Sequence, residues 1–291
     1  MPRRGSRRRT GLAVATVLVL SVGAVLVLLN LHKGGPAAPV RCGAALDGTD
    51  WFLSPAQADN AALISAIAVR RALPARAATI AIATALQESK LSNIGYGDRD
   101  SVGLFQQRPS QGWGTREQIL DPVYSTNAFY DVLIKIDGYQ ALPITDAAQR
   151  VQRSAFPQAY AQHETQARSW ASALAGYSPP ALTCTLSVAP RTVTEAQLEA
   201  FRARVQRDWG DVALQRDTAG WSADVTQAAW AAADPSRGSW AFAQWTVAVA
   251  DGNGVTVVAV ADRKWSRVTG TWTTVRPDAS LPAGTVRVTL N

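Results

Sequence analysis

The spacing of apolar residues changes several times along the chain, and each change predicts an element. Residues 10–31 are uncharged and almost wholly apolar. As a helix they would reach about 33 Å at ~1.5 Å per residue, enough for a bilayer core of ~30 Å. The stretch 32–50 is rich in Gly, Ala and Pro and reads as a linker. Ser54-Pro55 then supplies an N-cap and a first-turn proline, opening a helix with Leu63, Ile64, Ile67 and Ala68 on one side. Pro74 starts a second helix; its Thr79–Thr84 core also fits a strand period, but the density of alanine favours helix. Asp121-Pro122 opens a third, with Tyr124, Ala128, Phe129, Leu133 and Ile136 at helical spacing, and further helices are predicted at 145–154 and 158–175. A Pro-rich linker, 178–193, precedes a second block. There Thr194 and Gln197 form a capping box for a helix to about Trp209, and another helix is predicted near 239–250. Residues 255–261, 271–275 and 285–290 read as strands. The predicted fold class is an N-terminal transmembrane helix, then a mainly-α domain over 51–177, then a small α+β domain over 194–291.

Charge refines this picture. The net charge is +7, but Arg3, Arg4, Arg7, Arg8, Arg9 and Lys33 supply six of those charges, and residues 34–291 carry 23 basic and 22 acidic side chains. A near-neutral body lacks the electrostatic footprint of a nucleic-acid binder. The basic residues of 1–9 place the N-terminus in the cytoplasm and everything beyond residue 33 outside, which predicts a single-pass protein of the cytoplasmic membrane held by residues 10–31. A cleaved signal peptide fits less well. The apolar run exceeds the usual 7–15 residues, and Pro36 and Pro39 flank Ala37-Ala38.

Cys42 and Cys184 bracket the first block. In an oxidising compartment they would close one disulfide; otherwise they are two separate buried thiols. With only His32 and His163 beside them, a zinc cage of Cys and His cannot be assembled. No metal or organic cofactor is expected, and His163 is expected to be exposed on its helix.

Glu88 ends the second helix in Leu86-Gln87-Glu88-Ser89, a position where most glutamates are solvated charges. The neighbouring stretch changes that reading: a polar, glycine-rich run from Asn93 to Pro109 contains Gly103-Leu104-Phe105-Gln106-Gln107. Together these resemble the lysozyme-like domain of lytic transglycosylases and related muramidases, in which a Glu-Ser pair ends a helix and a Gly-Leu-Met/Phe-Gln segment lines the sugar cleft. The longer run through Ile119-Leu120-Asp121-Pro122, with 151–160, is similar to an actinobacterial branch of that fold. The family's Tyr-Asn-Ala-Gly motif is not obvious here, and residues 151–156 stand in its place.

The resemblance implies a lysozyme-like domain over 51–177 that acts on the glycan strands of peptidoglycan. Glu88 would be the general acid/base, Ser89 would orient it, and Gln106, Gln107 and Tyr130 would bind glycan. The chemistry needs a carboxylic acid that keeps its proton near neutral pH, which apolar walls favour by disfavouring the ion; Leu86, Leu91 and Phe105 are the candidates. Most glycosidases add a second carboxylate, for which Asp98 and Asp100 are the candidates. Family members with a single Glu instead use the substrate's N-acetyl group and release an anhydro sugar. Hydrolysis, transglycosylation and a non-catalytic wall-binding or scaffolding role all stay open on the sequence. The second block faintly resembles D-alanyl-D-alanine peptidases, whose zinc-binding histidines have no counterpart after His163. Trp221, Trp230, Trp240, Trp245, Trp265 and Trp272 there could stack on sugars or fill a core.

Overall fold

A computed structural model describes residues 39–153, 157–187, 193–216 and 220–290. The first sheet begins where a linker was expected. Strands β1 (Arg41–Leu46) and β2 (Thr49–Leu53) pair antiparallel around Asp47-Gly48, a dipeptide favoured in two-residue hairpins. Strand β3 (Leu182–Thr185), inside the other expected linker, pairs with β1 on its far side. The register sets Cys42 opposite Cys184, and the two form a disulfide.

The helices pack against this sheet. Helix α1 (Pro55–Arg70) starts at a capping box in which Ser54 and Gln57 each accept from the other's backbone N–H. Helix α2 (Ala75–Ser89) is buried on every side from Ala77 to Leu86, because alanines let neighbouring helices approach all round it. Then come α3 (Arg116–Leu120), α4 (Pro122–Leu133), α5 (Ile144–Gln152) and α6 (Glu164–Leu174). On α6, Ser169 donates to Ala44 O at 2.8 Å and Trp170 Nε1 to Trp51 O at 3.1 Å, which binds the helix to the hairpin.

The remainder comprises α7 (Glu195–Trp209), β4 (Ala213–Arg216), β5 (Gly220–Asp224), α8 (Pro235–Ala248), β6 (Val255–Val260), β7 (Arg263–Ser266), β8 (Thr271–Thr274) and β9 (Thr285–Leu290). Its six strands form an antiparallel sheet in the order β4-β5-β9-β6-β7-β8. Helix α8 is buried from Gly238 to Ala248, between this sheet and the earlier helices. Its Gln244 side chain accepts from Leu182 N at 2.9 Å and donates to Ala173 O at 2.6 Å. Trp272 Nε1 on β8 donates to Leu182 O at 2.8 Å, so β3 also touches the large sheet. Residues Val40–Asn291 accordingly make one compact unit.

The predicted fold class is therefore corrected. About 47% of the described residues are helix and 19% strand, arranged with two sheets, and strands from both expected linkers build the first. Among the described residues no helix is long and apolar enough to cross a membrane, and the segment 10–31 expected to do so lies outside them. The tryptophans of the second block are packing residues: Trp221, Trp240, Trp245 and Trp265 are buried, while Trp230 and Trp272 lean against the core.

One ionic network crosses the unit. Asp208 is wholly buried and accepts from Arg204 Nε at 2.8 Å, Arg207 Nε at 2.7 Å and Trp245 Nε1 at 3.0 Å. Arg204 also grips Asp59 of α1 with two bonds of 2.8 and 2.9 Å. Replacing Asp208 by Ala strips Arg204 and the indole N–H of their shared acceptor. Urea denaturation of Asp208→Ala should show a loss of about 3–5 kcal/mol, the usual cost of breaking a buried pair from one side.

Candidate functional site

The end of α2 fixes where Glu88 stands. Lys90 and Leu91 both take left-handed backbone angles, so the chain leaves the helix sharply just after Ser89. Side chains of α1 hold the turn: Gln57 Nε2 donates to Lys90 O and Asn60 Nδ2 to Leu91 O, each at 2.8 Å. Ser89 is buried, its hydroxyl donating to Leu104 O at 2.7 Å with Ala85 O at 3.1 Å, and it accepts from Ser92 N. It ties the turn beside Glu88 to the Gly-Leu-Phe-Gln segment and presents almost nothing to a ligand.

That segment is folded by close contacts. Gly103 sits at φ +80°, and a Cβ there would lie 2.7 Å from Ile119 O; one on Gly97 would strike the Gln106 amide at 1.9 Å. Phe105 is buried and stacks on Phe129 at 4.7 Å. Asp100 accepts from Arg108 Nε at 2.7 Å, Ser110 N at 2.8 Å and Ser110 Oγ at 3.0 Å. These bonds hold its carboxyl far below the usual range, the Arg108 bond contributing most.

Glu88 itself is half-buried. Tyr160 donates its hydroxyl to Glu88 Oε1 at 2.6 Å, and the Gln152 amide is the second hydrogen-bonding group acting on the carboxyl. Burial raises the carboxyl above its ordinary value of 4.5, while the bonds from Tyr160 and Gln152 pull it partly back. Leu86, Leu91 and Phe105, expected as apolar walls, are all buried. Gln152 Nε2 also donates to Phe105 O at 2.6 Å, linking α5 to the same segment. The result is a carboxylic acid with neutral hydrogen-bond partners, suited to giving up and recovering a proton.

Other expected site residues are placed elsewhere. Tyr130 is completely buried, donates to Ile64 O at 3.0 Å and pins α4 to α1; burial pushes its phenol far above the usual range. It is a core residue and no wall of a cleft. Gln107 is buried too, and its Nε2 donates to Ser125 O at 3.2 Å. Gln106 stays partly exposed, with Nε2 reaching Tyr96 O at 3.3 Å and Gly103 O at 3.2 Å. Asp98 is exposed beside Arg99, and neither Asp98 nor Asp100 is among the groups that shift Glu88. His163, expected on an exposed face, is half-buried with Nε2 3.0 Å from Gln87 Oε1, and burial lowers its pKa. Residues 154–156 of the segment standing in for the missing motif lie outside the described residues. Among the described residues, no three His, Cys, Asp or Glu side chains gather as a metal cage would require.

Tyr160 and Gln152 were not singled out from the sequence. Both lie within 151–160, a run whose likeness to the family was visible as a block but whose side-chain directions were not. Because the Tyr160 hydroxyl favours the ionised form of Glu88, Tyr160→Phe should raise the Glu88 pKa further. A carbon-detected NMR titration of the carboxyl would read this shift, and a fall or no change would remove Tyr160 from the site. Set against known protein families and curated proteins, the chain matches no family model and no curated sequence.

Proposed function

We propose that the protein cleaves the glycan strands of peptidoglycan through Glu88 acting as general acid and then base, in the manner of a lytic transglycosylase. The observation that carries this reading is the Glu88 carboxyl, half-buried, shifted upward by burial, and bonded to Tyr160 and Gln152 with no second carboxylate acting on it. The resemblance of Glu88-Ser89 and Gly103–Gln107 to the lysozyme-like motifs supports it, and the Cys42–Cys184 disulfide suits an oxidising compartment.

The proposed chemistry is balanced within the substrate. Protonated Glu88 donates to the glycosidic oxygen, and the bond from that oxygen to the anomeric carbon breaks as positive charge develops on the sugar. The substrate's N-acetyl oxygen shields that charge in place of a second carboxylate. The sugar's own 6-hydroxyl then attacks the anomeric carbon while the Glu88 carboxylate takes its proton, which restores the acid and leaves an anhydro sugar. Tyr160 suits both halves, since its hydroxyl steadies the carboxylate between them.

The test is mass spectrometry of purified peptidoglycan after incubation with wild-type and Glu88→Gln protein. Anhydro-muropeptides should appear with the wild type, and Glu88→Gln should lower their rate by at least about a hundredfold, the usual size of general-acid catalysis. Products one water heavier would replace the anhydro route by hydrolysis. Glycan left intact by a protein that still sediments with it would make the site a binding cleft.

The same substitution has a stability signature. A raised native pKa means that Glu88 disfavours the fold once it ionises, so wild-type stability falls as pH rises through the native value. Glu88→Gln should therefore melt at a higher temperature than wild type near neutral pH. The two should converge below the ordinary carboxyl value of 4.5. A gap that stayed constant between about pH 4 and pH 8 would contradict the burial argument.

A further inference from the structure

A cavity of about 370 Å³ opens at the start of α2, where Pro74, Ala75 and Ala78 form one wall. Ten residues of helix separate Ala78 from Glu88, about 15 Å at ~1.5 Å per residue, so the cavity is no part of the Glu88 site. Seven of the lining residues are alanines, and their methyl groups leave open what longer side chains would fill. Val69 and Leu73 add apolar wall, and Tyr177 and Trp230 bring aromatic rings. The volume lies within the ~300–1,000 Å³ of small-ligand pockets.

Close packing fixes the walls. A Cβ on Gly176 would lie 2.2 Å from Arg237 O, and one on Gly238 would lie 2.5 Å from the Ala231 side chain. The end of α6, the start of α8 and the turn carrying Trp230 therefore meet without slack. The Trp230 ring leans on Trp209 with centroids 4.5 Å apart. One charge stands among these groups. Arg237 is half-buried; its Nη1 donates to Ala175 O at 3.1 Å and its Nη2 to Trp230 O at 3.4 Å, and its guanidinium lies 5.2 Å from the Tyr177 ring centroid. Those partners are all neutral. The guanidinium makes no ion pair among the described residues, and no acidic side chain lines the cavity. Asp234, three residues earlier, caps α8 by accepting from Arg237 N at 2.9 Å.

We propose that this cavity binds a small monocarboxylic acid with an apolar body, its carboxylate pairing with Arg237 and its body filling the alanine-lined space against Trp230 and Tyr177. With two of its five N–H groups committed to carbonyls, the guanidinium keeps three for a carboxylate, whose planar oxygens match its fork. One unpaired charge suits a monoanion. A phosphate monoester would bring a second negative charge to apolar walls with no cation to meet it. The same walls disfavour a ligand hydroxylated along its length, which sets the site apart from any that takes glycan. It stands whether or not Glu88 cleaves sugar.

The test is calorimetric binding to the full-length chain. The probes are 3-phenylpropionate and octanoate, each beside its neutral amide, with acetate and phenyl phosphate as controls. At least one of the two larger acids should bind about tenfold more tightly than its amide, as charge-assisted pairing allows. Acetate, which has no body to bury, should not bind detectably. Tighter 3-phenylpropionate assigns an aromatic body to the ligand, and tighter octanoate assigns an alkyl chain. In Arg237→Met the acid should fall to the affinity of its amide, and Arg237→Lys should keep part of the difference. Ala229→Phe fills the cavity and leaves Arg237 in place, so it should abolish binding of acid and amide alike. Ala229 is exposed, and its variant tests the cavity independently of any folding cost in Arg237→Met. Glu88→Gln should bind as wild type does. No binding of either acid, equal binding of acid and amide, tighter binding of phenyl phosphate, or binding that survives Ala229→Phe overturns the site.

Discussion

A helix of small residues packed on all sides fixes where the Glu88 carboxyl stands. From Ala77 to Leu86, α2 has no solvent face, so its position is set by the helices that close around it. Glu88 lies two residues beyond that buried stretch, at the point where the helix reaches the surface and the backbone turns left-handed. A carboxyl there inherits the rigidity of the interior and remains within reach of a ligand. Larger residues along α2 would hold its neighbours further away, and the turn that carries Glu88 would lose its support.

The polar excursion after α2 is ordered by a few directional bonds, since it contributes little apolar surface of its own. The Ser89 hydroxyl anchors Leu104, the Asp100 carboxylate gathers Arg108 and Ser110, and Asn93 Nδ2 reaches Leu120 O at 2.8 Å. Phe105 supplies the hydrophobic pin by stacking on Phe129 of α4. The Ser89, Asn93 and Phe105 contacts tie the loop to three different helices, so its shape depends on helix packing that is already rigid. Gln107, chosen from the sequence as a ligand for sugar, is instead part of this internal framework, as is Ser89. Their polarity satisfies backbone carbonyls at a buried seam.

The range of each interaction decided whether the sequence disclosed it. The N-cap at Ser54, the capping box at Thr194 and the Asp121-Pro122 start lie within three residues of the helices they open, and they were legible. Strand β1 was not, because Gly43, Ala44 and Ala45 give no apolar alternation and its partner β3 lies across a disulfide spanning 142 residues. Helix α8 is buried against sheet and helices alike, so it carries no face that would announce its two neighbours. Glu88 was found through its flanking motif, whereas Tyr160, 72 residues away, meets it only through the fold. Tyr130 shows the opposite error. Its spacing of three residues from Leu133 puts it on the core side of the helix, and the resemblance drew it into the cleft.

Three carboxylates in this structure show how surroundings decide function. Asp208 is more deeply buried than Glu88, yet two arginines and an indole N–H surround it, and it serves as the joint between α7, α1 and α8. Asp100 lies in a surface loop and is held as an anion by Arg108 and Ser110. Glu88 differs because its partners, Tyr160 and Gln152, carry no charge, so the bonds they offer cannot cancel the cost of burial. A fixed cation beside Glu88 would make it another structural anion, and full exposure would make it an ordinary surface acid. Partial burial among neutral donors raises the Glu88 pKa, and the proton exchange proposed for this carboxyl draws on that shift.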